Sequence, residues 1–421
     1  MIIFLKVTHE NISQRNYYNN QFILRKLPVK SNRRIAILDI FRGFAVFGIL
    51  VVNIRIMNSS ILYQDEFLGG WKSDIDLLTE RIMQLFFYTK FFPIFSLLFG
   101  LGISIQTLKF IDDKRESNHF LYRRMFILLI IGILHILFLW SGDVLHIYSL
   151  IGFLSIFIIK KSNTWILFIT GLLFFFPFYE SIVEFIINII GFKPEYYASY
   201  FSHDSLTMLM RKGNHDELLK VRVYEYLASI PMILNVLVPI ASAMFLLGLY
   251  LGKNKIFDCF DILIEKTKYP FLILLITTNI YRIFFLFVII DKPIFANGVW
   301  RNVLLKVMLI SDVIMGLFYL WIIGYIWFFT NYKWLLKPFQ FVGRMALTNY
   351  IMQSIIGLIL FTSCGLGMYE VAGPFQLFLL SLLIFMLQVI YSWFWLKNFR
   401  YGPLEWVWRC LSYGTILSIK K

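Results

Sequence analysis

Residues 135–153 read HILFLWSGDVLHIYSLIGF, an apolar run that nonetheless carries His135, Asp143 and His146. A carboxylate that orients an imidazole and favours its protonated form is the equipment of a general base. Ser141 and Gly142 read as a very tight turn between two helices, which makes those helices neighbours and brings His135 within hydrogen-bond reach of Asp143. Asp is also a preferred helix N-cap, and a capping Asp143 keeps a second oxygen to turn towards His135. His146 is read as facing either solvent or the cap.

A second constellation lies in LDIFRGFAVFGILVVNI, where Asp39 and Arg42 are neighbours on one helical face. At 100° per residue, Asn53 returns to within about 40° of the direction of Asp39 and lies about 21 Å further along the axis. The stripe reads as an internal ion pair with packing glycines at Gly43 and Gly48, or as an anion-binding end formed by Arg42 and held in place by Asp39. In GRMALTNYIMQS, Asn349 and Gln353 share a face, with Arg344 and Thr348 on a neighbouring stripe. Such amides either contact a substrate or glue helices together in lipid, at about 0.6–2 kcal/mol each. Arg282 and Asp312 fall at matching depths of an antiparallel hairpin and are expected to pair. Lys90 is expected to snorkel to an interface. Glu405 and Arg409 are expected at i,i+4 spacing on an amphipathic tail helix, with Trp406 and Trp408 at the membrane surface.

The elements that must position these residues are membrane helices. The chain has 421 residues, 59% hydrophobic and only 15% charged, whereas soluble domains carry about 45–50% apolar and about 25% charged residues. About ten apolar runs, 36–55, 84–107, 121–140, 143–160, 164–190, 229–252, 269–290, 302–329, 340–362 and 375–396, approach the roughly 20 residues that cross a bilayer. The fold class is therefore all-α: a polytopic integral membrane helical bundle. Residues 1–34 read as an N-terminal arm, 35–397 as a single transmembrane domain with outer excursions over 56–83 and 191–228, and 398–421 as an amphipathic tail. Pro177 is expected to kink the fifth run.

The net charge of +15 resides largely on alternate loops and the termini: Arg33 and Arg34, the segment Lys109 to Arg124, Lys160 and Lys161, Lys253 to Lys268, Lys333 and Lys337, and the tail. That bias marks cytoplasmic loops. It places both termini in the cytoplasm of a multi-pass protein of the plasma membrane and points to membrane lipid, not nucleic acid, as the partner of the basic face. Cys259, Cys364 and Cys410 show neither paired spacing nor a metal-ligand pattern, so no disulfide and no metal is expected.

LDIFRGFAVFGILVVNI, KFFPIFSLLFGLGI, HILFLWSGDVLHIYSLIGF, GRMALTNYIMQS and GPLEWVWR follow one another from residue 38 to residue 409. In that order they resemble the YeiB-like family of bacterial membrane proteins, which is labelled by a domain of unknown function. That family is grouped with transmembrane acyltransferases, among them the lysosomal heparan glucosaminide acetyltransferase and bacterial enzymes that O-acylate surface polysaccharides. The likeness to the lysosomal enzyme is confined to the LDxxRG segment and an asparagine matching Asn53. That enzyme has a catalytic histidine soon after its asparagine, whereas residues 54–83 here contain none. His135 is the in-span histidine that takes its place, with His146 as the outside candidate.

The resemblance implies transfer of an acyl group from acyl-CoA on the cytoplasmic side to a hydroxyl or amine of a cell-envelope saccharide or lipid acceptor. Arg42 and Arg344 would meet the donor phosphates, with Asp39, Asn349 and Gln353 in the same binding region. His135 would act as base, oriented by Asp143, and Asn53 would donate to the developing oxyanion. Two other readings use the same polar seam: a transporter or small-molecule carrier, and a membrane scaffold without catalysis.

Overall fold

A computed structural model describes residues 36–112, 117–289, 292–296 and 298–421. The expected N-terminal arm, with Arg33 and Arg34, lies outside the described residues. The described chain is helical, and its one β contact is an isolated bridge between Phe399 and Lys420. The principal helices are α1 (Ala36–Asn58), α2 (Asp74–Phe86), α3 (Phe91–Asp112), α4 (Ser117–Phe138), α5 (Leu145–Ile158), α6 (Asn163–Phe175), α7 (Tyr179–Ile190), α8 (His203–Lys212), α9 (His215–Met232), α10 (Val238–Lys253), α11 (Lys268–Phe284), α12 (Gly298–Phe329), α13 (Lys337–Arg344), α14 (Ala346–Phe361), α15 (Pro374–Asn398) and α16 (Pro403–Tyr413).

Among the described residues, seven helices are long and apolar enough to cross a membrane, or nine if each of two bent pairs is one span. One bent pair is α6 with α7, which break by 85° around Pro177. A proline lacks the N–H needed to continue the helix. The other pair breaks by 79° between Tyr332–Arg344 and Ala346–Phe361. The remaining expected run, 143–160, forms α5, an apolar helix of 14 residues. The apolar side chains left exposed on α11 and α15, such as Ile273, Ile276, Leu383 and Phe394, are those a lipid-facing surface requires.

Two elements begin elsewhere than the hydropathy pattern predicts. The sixth run, expected from 229, belongs to a helical stretch that starts at His215 and continues to Lys253. Asn214 and Glu217 form a capping box that starts it early. The strain of Pro231 within α9 is taken up by a π-helical turn over Ile233–Leu237. Likewise the apolar stretch around α3 reaches back through α2 to Asp74, interrupted where Thr89 adopts a positive φ of 64°.

Helix contacts in lipid rely on small residues that let backbones approach. A Cβ at Gly43 would collide with the carbonyl of Phe339, and one at Gly343 with the carbonyl of Asp39, so α1 and α13 touch backbone to backbone. Helices α3 and α10 meet in the same way: Gly248 sits against the Leu97 carbonyl, and Ser96 Oγ donates to the Ala241 carbonyl at 2.5 Å.

Lys90 does not snorkel. It is fully buried, because Asp312 supplies a counter-charge at 2.8 Å and the carbonyls of Tyr88 and Gln84 accept from Nζ at 2.7 and 3.1 Å. The expected Arg282–Asp312 pair forms at 2.9 Å on the same carboxylate oxygen, and Thr89 donates to the other. Asp312 thus neutralises two buried cations. Asp312→Asn is expected to cost about 3–5 kcal/mol, read as a fall in the unfolding midpoint in detergent. Lys90→Met should cost less, because Arg282 keeps its partner.

The tail forms the expected helix, α16, with Glu405 and Arg409 at i,i+4 spacing. Glu405 does not lie against Arg409; it accepts from the backbone N–H groups of Leu347 and Thr348 at 2.7 and 3.1 Å and from Thr348 Oγ1 at 2.6 Å. Arg409 instead stacks over Tyr401 at 4.7 Å. The N-terminus of α14 has no cap of its own, and its positive dipole end attracts a carboxylate from elsewhere. Burial pushes the Glu405 carboxyl up from its ordinary pKa, while the hydrogen bonds from Thr348 and Leu347 pull it back down in part. Glu405→Ala should destabilise the protein by about 1–2 kcal/mol, as loss of a helix cap does, measured by the same thermal midpoint.

Candidate functional site

The tight turn after α4 forms as the sequence suggests, and it gathers side chains from α4, α5, α9 and α14. His135 lies in the last turn of α4 and is 1% exposed; Asp143 is 3% exposed. His135 Nδ1 and Asp143 Oδ1 are 3.1 Å apart. The N–H is off the line of a well-directed hydrogen bond, and neither atom has another partner, so the pair rests on proximity and charge.

The other oxygen of Asp143 does the capping. It accepts from the backbone N–H of His146 at 2.9 Å and lies 2.7 Å from His146 Nδ1. His146 is therefore buried against the carboxylate, not turned to solvent. Its Nε2 is 3.0 Å from the Tyr226 hydroxyl. With both imidazoles neutral, the network is satisfied when each Nδ1–H faces Asp143 and each Nε2 offers a lone pair to a hydroxyl. Room for the carboxylate comes from Gly132, where a Cβ would stand 2.5 Å from the His146 nitrogen and 2.9 Å from Asp143 Oδ2.

The partner of His135 Nε2 is one the sequence reading missed. Ser354 Oγ lies 2.7 Å away, wholly buried, and the ring of Tyr350, one helical turn earlier, stacks on the imidazole with centroids 5.3 Å apart. Ser354 ends the quoted GRMALTNYIMQS segment, but a serine in an apolar helix ordinarily back-bonds to its own carbonyls, so it carried no signal. Ser354 also forms part of the wall of a cavity of ≈ 20 Å³, about the room of one ordered water. Met57, Arg222, Glu225 and Thr362 complete its polar and flexible lining. Arg222 Nε donates to the Leu137 carbonyl at 2.8 Å, and Ser141 donates to Glu225 at 3.0 Å.

Asn53 is half-buried on α1, one turn before the cavity residue Met57, and makes no hydrogen bond to His135 or Asp143 among the described residues. Asn349 and Gln353 are fully buried and tie α14 to its neighbours. Asn349 Nδ2 donates to the Val342 carbonyl and Ser392 Oγ at 3.2 and 3.0 Å, Gln353 Nε2 donates to Gln388 at 3.0 Å, and Gln388 donates to the Asn349 carbonyl at 2.8 Å. Their amides act as helix glue.

The second constellation sits at the opposite end of α1. Arg42 NH1 meets Asp39 Oδ1 at 3.1 Å, with Asp39 buried and Arg42 about one-third exposed (31%). The contact of Gly343 with the Asp39 carbonyl brings the backbone at the end of α13, next to Arg344, against this turn of α1. Arg124 lies over the Trp408 ring at 3.6 Å, within electrostatic reach of Arg42 and Arg409. Arg42, Arg124 and Arg409 therefore collect towards one end of the bundle, and His135 and His146 lie towards the other. No group of His, Cys, Asp and Glu side chains suited to holding a metal ion occurs among the described residues.

Residues 251–415 match the profile of a family described as a protein of unknown function, DUF418. Over nearly its whole length the chain is similar to three bacterial proteins. The uncharacterized protein YxaH of Bacillus subtilis (strain 168) is 29% identical over 415 residues, covering 94% of this chain and 98% of YxaH. An uncharacterized 39.9 kDa protein in the amylase 3' region of Bacillus acidopullulyticus is 26% identical, covering 92% of this chain and 96% of that protein. The uncharacterized protein YeiB of Escherichia coli (strain K12) is 24% identical over 394 residues, covering 89% of this chain and 95% of YeiB. No solved structure matches. The chain is thus similar to YeiB over most of its length and matches the DUF418 profile over residues 251–415.

Proposed function

We propose that this chain is an acyltransferase of the plasma membrane that moves an acyl group from cytoplasmic acyl-CoA to a hydroxyl or amine of a cell-envelope saccharide or lipid. In this reading the bundle crosses the membrane about ten times, α5 included, with both termini in the cytoplasm. The observation that carries it is the buried His135–Asp143 pair at 3.1 Å, one residue removed from a small cavity into which Arg222 and Glu225 also face. An imidazole held by a carboxylate is poised to take a proton from a hydroxyl, and a site closed to bulk water protects a reactive acyl group from hydrolysis.

The guanidinium cluster supports the donor side. Arg42 and Arg344 would take the phosphates of acyl-CoA in bidentate fashion, Asp39 would fix the Arg42 side chain, and Arg124 and Arg409 would add to the local positive field. On the acceptor side Arg222 and Glu225, facing the cavity, suit a ligand rich in hydroxyls. Asn53, one turn from Met57, would reach the reacting carbonyl as an oxyanion donor.

Purified protein in liposomes, given labelled acyl-CoA and envelope extract, should transfer label to an acceptor. His135→Ala should lower the rate about 10²–10⁴-fold, the contribution of a positioned base. Arg42→Ala should raise the KM for the donor with a smaller effect on kcat. Full transfer by His135→Ala would overturn the assignment. Solute uptake by proteoliposomes with no acyl-CoA consumed would replace it with a carrier.

A further inference from the structure

We propose that Ser354 carries the acyl group as a covalent ester between donor and acceptor, so that transfer proceeds in two steps through an acyl-enzyme. This rests on the acyltransferase reading and adds a residue and an intermediate to it. An imidazole has two nitrogens, and both of those on His135 are taken: Nδ1 faces Asp143 at 3.1 Å and Nε2 faces Ser354 Oγ at 2.7 Å. An acceptor hydroxyl can therefore reach the basic nitrogen only by displacing Ser354. The proton already in line for Nε2 is that of the serine. A hydroxyl within 2.6–3.2 Å of a base that is itself oriented by a third group is the arrangement of an activated nucleophile, and it is recognised by geometry and roles on unrelated folds.

The surroundings fit the role. Tyr350 stacks on the imidazole at a tilt of 29°, while His146 holds the far oxygen of Asp143. Ser354 borders the small cavity that Arg222 and Glu225 also line, so the nucleophile has polar side chains within the same wall. In the first step Ser354 Oγ attacks the thioester carbonyl carbon, forming a C–O bond as the C–S bond breaks. The serine proton passes to His135 Nε2 and from there to the departing sulfur, releasing a thiol. In the second step the acceptor hydroxyl or amine attacks the seryl ester and gives its proton to Nε2, which returns it to Ser354 Oγ as that C–O bond breaks. No oxidant or reductant is needed.

The test uses the full chain in detergent micelles and a fluorophosphonate probe, which reacts with activated serines whatever the natural donor. Mass spectrometry should place the probe on Ser354, with labelling lost in Ser354→Ala and reduced about 10²-fold or more in His135→Ala. Unchanged thermal midpoints would show that these variants fold. Ser354→Cys provides a second readout: after incubation with labelled acyl-CoA its bound acyl group should be released by neutral hydroxylamine, as a thioester, while that of the unaltered protein resists as an oxygen ester. Absence of probe from Ser354 in the unaltered protein would overturn the proposal. Full acyl transfer by Ser354→Ala with none by His135→Ala would also overturn it while leaving direct transfer by His135 intact. Full transfer by both variants would remove the acyltransferase site as well.

Discussion

A carboxylate withdrawn from water has to be surrounded by donors, and in a membrane those donors must come from the protein itself. Three acidic side chains meet that demand by drawing in helices distant in sequence. Asp312 on α12 holds Lys90, which precedes α3, and Arg282 on α11. Asp143 holds His146 on α5 and stands against His135 on α4. Glu405 on α16 holds the start of α14. Each anion is a node at which the bundle has little freedom, because moving any one helix strands a charge in a medium that cannot solvate it. Backbone contacts at Gly43, Gly343 and Gly248 set how closely the helices approach, and the anions set which approach is chosen.

The nodes differ in what they leave over. Around Asp312 almost every donor is spent on the carboxylate or on nearby carbonyls, which makes that cluster an internal tie. Around Asp143 the chain of contacts runs onward, through His135 to Ser354 and through His146 to Tyr226, and one branch ends at a cavity. A polar network whose last member borders a cavity, even one the size of a water, can act on something else. A closed one can only hold.

Much of this was legible in residue types and spacing. The hairpin over Ser141 and Gly142 places His135 beside Asp143, the two depths in α11 and α12 place Arg282 beside Asp312, and Pro177 marks a break, because each depends on local geometry alone. Lys90 was misjudged because periodicity gives a depth but not the identity of the residue facing it, and an Asp 222 positions away is invisible to a helical wheel. Ser354 and Glu405 escaped for the same reason. Their meaning lies in partners 219 and 57 residues distant. The early start of α9 was hidden because hydropathy responds to apolar content, whereas the capping box at Asn214 is written in polar residues.

The contact between Glu405 and the head of α14 also bears on the order of biosynthesis. Glu405 is made 57 residues after Thr348, so α14 and all of α15 are synthesised before the carboxylate exists. In that interval the first N–H groups of α14 must be satisfied by water or by lipid headgroups. The break at Arg344 can settle only once the following hairpin has turned back and delivered Glu405. The chain thus latches its ninth apolar run from behind, with a carboxylate that follows it in sequence.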